Sequence, residues 1–258
     1  MFDINDFHVV DIENSLHPSM FKSNENYDLF IVRLPSLENT NLISQSYSYV
    51  FKEDICYFYD KKTKKFIDLS NMQGLYEDLN DKINITMEIT SNIYQAIENM
   101  EDDFYDSKDI KDFNQQWFSK KNDLLRINRL LNKVILEYKK FILNYKKEQS
   151  ELEIHFEDLF EHLERTNRTT IHALEKLDAL YNFYVSTNNE KMNKTVFILT
   201  VLSGIFLPLN LLVGFFGMNT TSLPFTKAEG GTYAVIFILI FTSMLSYVLY
   251  KTLKKNIR

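Results

Sequence analysis

Cysteine is nearly missing: Cys56 stands alone in 258 residues. A single thiol excludes an internal disulfide and any cysteine-rich zinc centre. Its setting, Asp-Ile-Cys-Tyr-Phe-Tyr-Asp, reads as a thiol packed in a strand rather than a reactive one. A basic surplus is missing too. The net charge is −6, so no nucleic-acid partner is expected. There is no glycine-rich phosphate loop, no His-Glu-x-x-His, and no Ser or Cys set beside a His in a recognisable arrangement. No catalytic residue and no cofactor is therefore assigned, and the chain does not read as an enzyme. The opening Met-Phe-Asp-Ile-Asn-Asp-Phe lacks a basic segment and a long apolar core, so no signal peptide is read there.

Glycine and proline are absent over one long stretch. From Leu75 to Ser203 neither occurs. Such a stretch, interrupted only by polar runs, reads as long helices. Breaks near 102–109 and 146–150 give helices of roughly 72–104, 108–146 and 150–216. The first 70 residues differ. Residues 27–35 and 47–60 are rich in aromatic and β-branched residues, and Lys61–Lys64 reads as a turn before a further strand, so a small sheet is expected.

Charge is absent from two runs. Thr195–Phe216 holds 22 residues without a charge and Thr232–Tyr250 holds 19. A helix needs about 20 residues to cross the hydrocarbon core, so two spans are expected. Lys191 and Lys194 precede the first, and Lys251, Lys254, Lys255 and Arg258 follow the second. The segment between carries only Lys227 beside Glu229. The distribution of Lys and Arg predicts both termini in the cytoplasm, and the expected location is the inner (cytoplasmic) membrane. The expected class is an α+β cytoplasmic domain with long stalk helices and two C-terminal transmembrane helices. Its expected parts are an α/β domain (1–70), a helical hairpin (71–149), a stalk helix continuing into the first span (150–216), an external loop (217–231), the second span (232–250) and a basic tail (251–258).

Two rows of residues lie along the last long helix. Leu152, Phe156, Leu159, Leu163, Thr166, Thr170, Ala173, Leu177, Leu180 and Tyr184 follow alternating steps of four and three. Such a seam packs either on its own domain or against other subunits. The second row, Asn193, Val196, Thr200, Ser203, Leu207, Asn210, Gly214 and Gly217, keeps the same spacing along the first span. Small residues let membrane helices pack closely, but two asparagines on one line point to a bundle interior or water. Extended backward, the row meets Asn189, Ser186, Asn182, Ala179, Glu175, His172, Arg168, Arg165, Glu161 and Asp158. Several copies around an axis would line a wet funnel leading into a pore. Pro208 supplies no N–H to the carbonyl of Gly204, so a kink or a free acceptor is expected there.

Residues 193–219, Asn-Lys-Thr-Val-Phe-Ile-Leu-Thr through Phe-Leu-Pro-Leu to Gly-Met-Asn, resemble the first membrane helix of CorA-type divalent-metal transporters. The second span and basic tail fit that family, as do the His17-Pro18 strand region and residues 177–193. The resemblance implies a homopentamer in a lipid bilayer. It implies a pore lined by Asn193, Thr200, Asn210 and Gly214, and a selectivity filter at Gly217, Met218 and Asn219. It also implies an acidic hairpin, for which 98–112 is the candidate, opposite the basic tail. The loop after the signature is similar to the zinc-transporting ZntB branch, with Thr221-Ser222 in place of two glycines.

The implied cargo is a divalent cation, Mg²⁺ first and Zn²⁺ second, with Co²⁺ and Ni²⁺ behind them. Mg²⁺ sheds water reluctantly and takes oxygen ligands, so neutral amide oxygens suit its passage as a hydrated ion. Zinc held bare would want His or Cys, and the spans contain neither. Asp158 and Glu161 are candidate regulatory metal ligands between subunits, and His155, Asp158 and His162 are spaced for a further cation site. The competing reading is a membrane-anchored helical scaffold without transport.

Overall fold

The computed structural model describes residues 3–105, 112–145, 151–218 and 230–256. The chain folds as two units, Met1–Asn182 and Phe183–Arg258.

The first unit begins with α1 (Asp6–Glu13) and an antiparallel meander of five strands in sequence order: β1 (Met20–Ser23), β2 (Asp28–Glu38), β3 (Asn41–Lys52), β4 (Ile55–Asp60) and β5 (Lys65–Asp68). The aromatic run 47–60 is two strands, folded at Glu53, whose φ is 53°. Asn39 and Thr40, with φ of 48° and 70°, make the two-residue turn between β2 and β3.

Side chains alternate between the sheet's two faces. Phe30, Val32 and Leu34 of β2 join Tyr47, Tyr49 and Phe51 of β3 in the main core, while Leu29 and Ile31 join Val50, Tyr59 and Ile12 of α1 in a second. On β3, Ser44, Ser46 and Ser48 alternate with the aromatics and are buried. Ser46 and Ser48 donate to the carbonyls of His17 (2.7 Å) and Ile12 (3.3 Å), so small side chains let the N-terminal segment lie close to the sheet. Cys56 is fully buried on β4. Burial, with Asp68 and Asp78 nearby, pushes its thiol up to about 12.

Three long helices complete the unit: α2 (Met72–Tyr105), α3 (Phe113–Tyr145) and the first part of α4 (Glu151–Phe216). Asn71 caps α2, its Oδ1 accepting the Gly74 N–H at 3.1 Å. A Cβ at position 74 would sit 2.1 Å from the Leu69 carbonyl oxygen, so this turn requires glycine.

The seam of α4 packs on its own domain. Phe156, Leu159 and Leu163 enter the main core beside Ile83, Ile127, Leu131 and Tyr138. Ala173 and Leu177 close a third cluster with Ile97 and Leu124. The subunit-contact reading of this seam is therefore set aside, because α2 and α3 supply enough apolar surface to close it within one chain. Thr166 and Thr170 are buried, and each hydroxyl donates to the carbonyl four residues earlier, at 2.7 and 2.8 Å. Polar ties add registration. Asn128, Asn167 and Asn132 form a ring of three amide hydrogen bonds of 2.9–3.1 Å. Lys121 meets Asp178 at 2.6 Å.

The second unit contains the rest of α4 and α5 (Gly231–Asn256). Both helices are long and apolar enough to cross a membrane. The helix continues through Pro208 to Phe216.

Candidate functional site

The uncharged part of α4 has two unlike faces. Phe197, Val201, Ile205, Pro208, Leu209, Leu212 and Phe216 are half-buried. Asn193, Val196, Thr200, Ser203, Leu207, Asn210, Gly214 and Gly217 are all exposed. At 3.6 residues per turn the two sets lie on roughly opposite sides of the helix. The polar row is thus open in a single chain, as are apolar side chains beside it such as Ile198, Leu202 and Leu211.

The charges near its start keep off that face. Lys194 reaches Glu190 at 2.6 Å, one turn back and off the row, with both side chains exposed. This hydrogen bond holds the Glu190 carboxyl below its ordinary value. The row itself presents amide and hydroxyl groups, glycine backbone and the apolar side chains of Val196 and Leu207, and no charge. The Thr200 hydroxyl donates to the Val196 carbonyl at 2.9 Å, which leaves its oxygen as an acceptor. Gly214 has open space where a Cβ would stand. Gly217 prolongs the helix, its N–H reaching the Val213 carbonyl at 2.8 Å, and Met218 is exposed. Asn219 and the loop to residue 229 lie outside the described residues, as do Arg258 and residues 106–111 of the acidic run.

In the first unit the backward extension of the row, from Asp158 through Glu161, Arg165, Arg168, His172, Glu175 and Ala179 to Asn182, is exposed at every position. Asp158 stands 3.6 Å from His162, and His172 stands 3.4 Å from Glu175. The His155 ring lies 5.0 Å from that of Tyr76. Among the described residues no group of three His, Cys, Asp or Glu side chains is arranged to hold a metal. The spacing of His155, Asp158 and His162 therefore does not make a site in one chain. Part of the acidic run is committed elsewhere: Glu101 and Glu98 bind Lys176 of α4 at 2.7 and 3.5 Å. Lys251 is exposed, and Lys254 and Lys255 fall within α5.

One cluster escapes sequence reasoning. Arg33, Arg126, Arg129 and Lys133 line a common cavity, although β2 and α3 lie some ninety residues apart in the chain. No spacing pattern signals it, because the residues meet only when α3 crosses the β2–β3 hairpin.

Comparison with known proteins gives a consistent set of relatives. The family model described as CorA-like Mg²⁺ transporter protein matches residues 2–255. YfjQ of Bacillus subtilis (strain 168), whose name places it among metal ion transporters, is 30% identical over 123 residues, 47% of this chain and 39% of its own. The cobalt/magnesium transport protein CorA of Thermotoga maritima is 25% identical over 100 residues, 39% of this chain and 28% of its own. The matched segments thus span less than half the length of these relatives. The complete structure of the CorA magnesium transporter from Methanocaldococcus jannaschii has a TM-score of 0.76 at 18% identity, covering 96% of this chain and 83% of that one. The fold is therefore shared: an N-terminal α/β region, a long helix and a C-terminal helix.

Proposed function

The chain belongs to the CorA-like Mg²⁺ transporter family, and from that premise we propose that it conducts hydrated divalent cations through a path lined by one face of α4. Mg²⁺ is the first cargo, with Zn²⁺, Co²⁺ and Ni²⁺ behind it. Several copies, five by family resemblance, set Asn193, Val196, Thr200, Ser203, Leu207, Asn210 and Gly214 around a common axis. The observation that carries this reading is the exposed, uncharged row opposite a half-covered apolar face.

Neutral oxygens suit the task. A path must bind an ion firmly enough to admit it and weakly enough to release it. Amide and hydroxyl oxygens hydrogen-bond the water shell that Mg²⁺ gives up reluctantly, whereas rings of carboxylates would hold a divalent ion longer. Gly217, Met218 and Asn219 form the filter at the outer end, where amide carbonyls accept from the ion's waters. Both termini face the cytoplasm across the inner membrane. The membrane potential then drives entry, at about 2.3 kcal/mol per charge per 100 mV. Asp158 and Glu161 act between neighbouring copies as carboxylates for a regulatory cation.

Flux into proteoliposomes tests the assignment. Asn219→Ala is expected to abolish Mg²⁺ entry while the oligomer stays intact. If the variant still admits Mg²⁺, Zn²⁺, Co²⁺ or Ni²⁺ at the wild-type rate, the filter assignment fails. Wild-type protein that moves none of them, or that is monomeric in detergent, is an anchor rather than a pore.

A further inference from the structure

The first unit carries a basic cavity with no part in the conduction path. Arg33 of β2, Arg126, Arg129 and Lys133 of α3, and Pro18, Ser19, Ser44 and Leu130 line a space of about 330 Å³. Four cations and no carboxylate face it, in a chain of net charge −6. Their convergence is built, not incidental. Arg33 Nη2 and Nε donate to the Ser44 hydroxyl oxygen at 2.8 and 3.1 Å, and its Nη1 donates to the Leu16 carbonyl at 2.8 Å. Arg126 Nη1 donates to the Leu42 carbonyl at 2.7 Å, and its Nη2 lies 3.4 Å from the same Ser44 oxygen. Ser44 is buried. Ser19, also buried, accepts the Arg33 backbone N–H at 2.9 Å.

Two guanidinium groups are thus fixed around one neutral hydroxyl. Burial first, and then the Arg126 charge, hold Arg33 below its ordinary value. Among the described residues no carboxylate lies within ion-pair distance of Arg33, Arg126 or Arg129. Lys133 meets Glu137 at 3.3 Å, and Asp123, a turn before Arg126, acts only at longer range. Each guanidinium has five N–H donors, so neither arginine spends all of its donors on these oxygens. Fixed forks with donors left over match the geometry of phosphate oxygens. The volume reaches the lower end of small-molecule sites.

We propose that Arg33, Arg126, Arg129 and Lys133 form a binding site for a phosphate group on the first unit, separate from the cation path. The phosphate belongs to a soluble compound or to a lipid headgroup; both present the same oxygens to the arginines.

Calorimetric titration of the full chain with inorganic pyrophosphate, in metal-free buffer, tests the site. Saturable binding is expected, and it weakens as salt rises. Arg129 is exposed and makes no hydrogen bond or ion pair among the described residues, so Arg129→Gln leaves the fold intact. It is expected to weaken pyrophosphate binding about tenfold at an unchanged melting temperature. Arg126→Gln weakens it further, with some loss of stability. Repeating the titration in phosphatidylcholine nanodiscs with and without phosphatidic acid separates the sources. Competition by phosphatidic acid identifies a headgroup site, and unchanged binding identifies a soluble ligand. The proposal is overturned if wild-type protein shows no saturable binding to pyrophosphate and phosphatidic acid does not increase the protection of Arg129 from arginine-modifying reagent. Equal affinity of wild type and Arg129→Gln overturns it as well.

Discussion

Gly74 is fixed by what a methyl group would strike. The Leu69 carbonyl lies where a Cβ would stand, and that carbonyl is backbone, which cannot swing aside. Gly74→Ala is expected to cost about 1–3 kcal/mol, as overpacking does, read as a lower unfolding temperature of the purified protein. Glu137 is the other residue with an outsized structural role. It is almost fully buried on α3, where its carboxylate accepts the Phe21 N–H of the edge strand β1 at 3.1 Å and two lysine ammoniums. Burial alone would raise its pKa, but the Lys140, Phe21 and Lys133 hydrogen bonds outweigh it and hold the carboxyl below 4.5. A depressed carboxyl contributes stability that is complete above the unfolded pKa and is lost as pH falls through the folded one. Glu137→Gln is expected to lower stability by about 1–3 kcal/mol at neutral pH. The gap between variant and wild type then closes in acid, which denaturant titrations at pH 7 and pH 3 would check.

Among the elements, α4 shows best what a sequence can and cannot disclose. Leu163→Ala is expected to destabilise the first unit by about 2–5 kcal/mol, with a loss independent of protein concentration, because the seam closes within one chain. A concentration-dependent loss would return the seam to a subunit contact. The long helices were legible because glycine and proline vanish together: α2, α3 and α4 run 72–105, 113–145 and 151–216, close to the expected limits. The strands were legible from their aromatic and β-branched runs. Helix α1 was not, because Phe7 and Val10 are exposed on it and its apolar residues make no single stripe. The strand β1 escaped for its brevity, and the turn at Glu53 for its lack of glycine. Of the candidate site, the row on α4 was readable because one helix holds it all. The arginine cavity was not, since it needs β2, β3 and α3 brought together.

At the scale of the whole molecule, the pore assignment predicts which positions water reaches. Cys56 is buried with its thiol held protonated, so the native chain offers a silent background for cysteine labelling. Ser203→Cys, on the row, is expected to react with a membrane-impermeant charged thiol reagent and so block flux. Leu202→Cys, one residue round the helix and exposed in the single chain, is expected to resist it in the membrane. Equal labelling at both would dissolve the distinction between a wet face and a lipid face. The row has one more consequence. From Asn193 to Gly217 it holds no group that gains or loses a proton in the physiological range. Such a face offers no side-chain stepping stones for a proton relay, so any proton crossing it must travel along the water in the pore. Acidifying one side would then leave the charge of this stretch unchanged, and any titration behind a pH response would trace to groups off the row: the histidines and carboxylates of the first unit, and Glu190 and Glu229 beyond it.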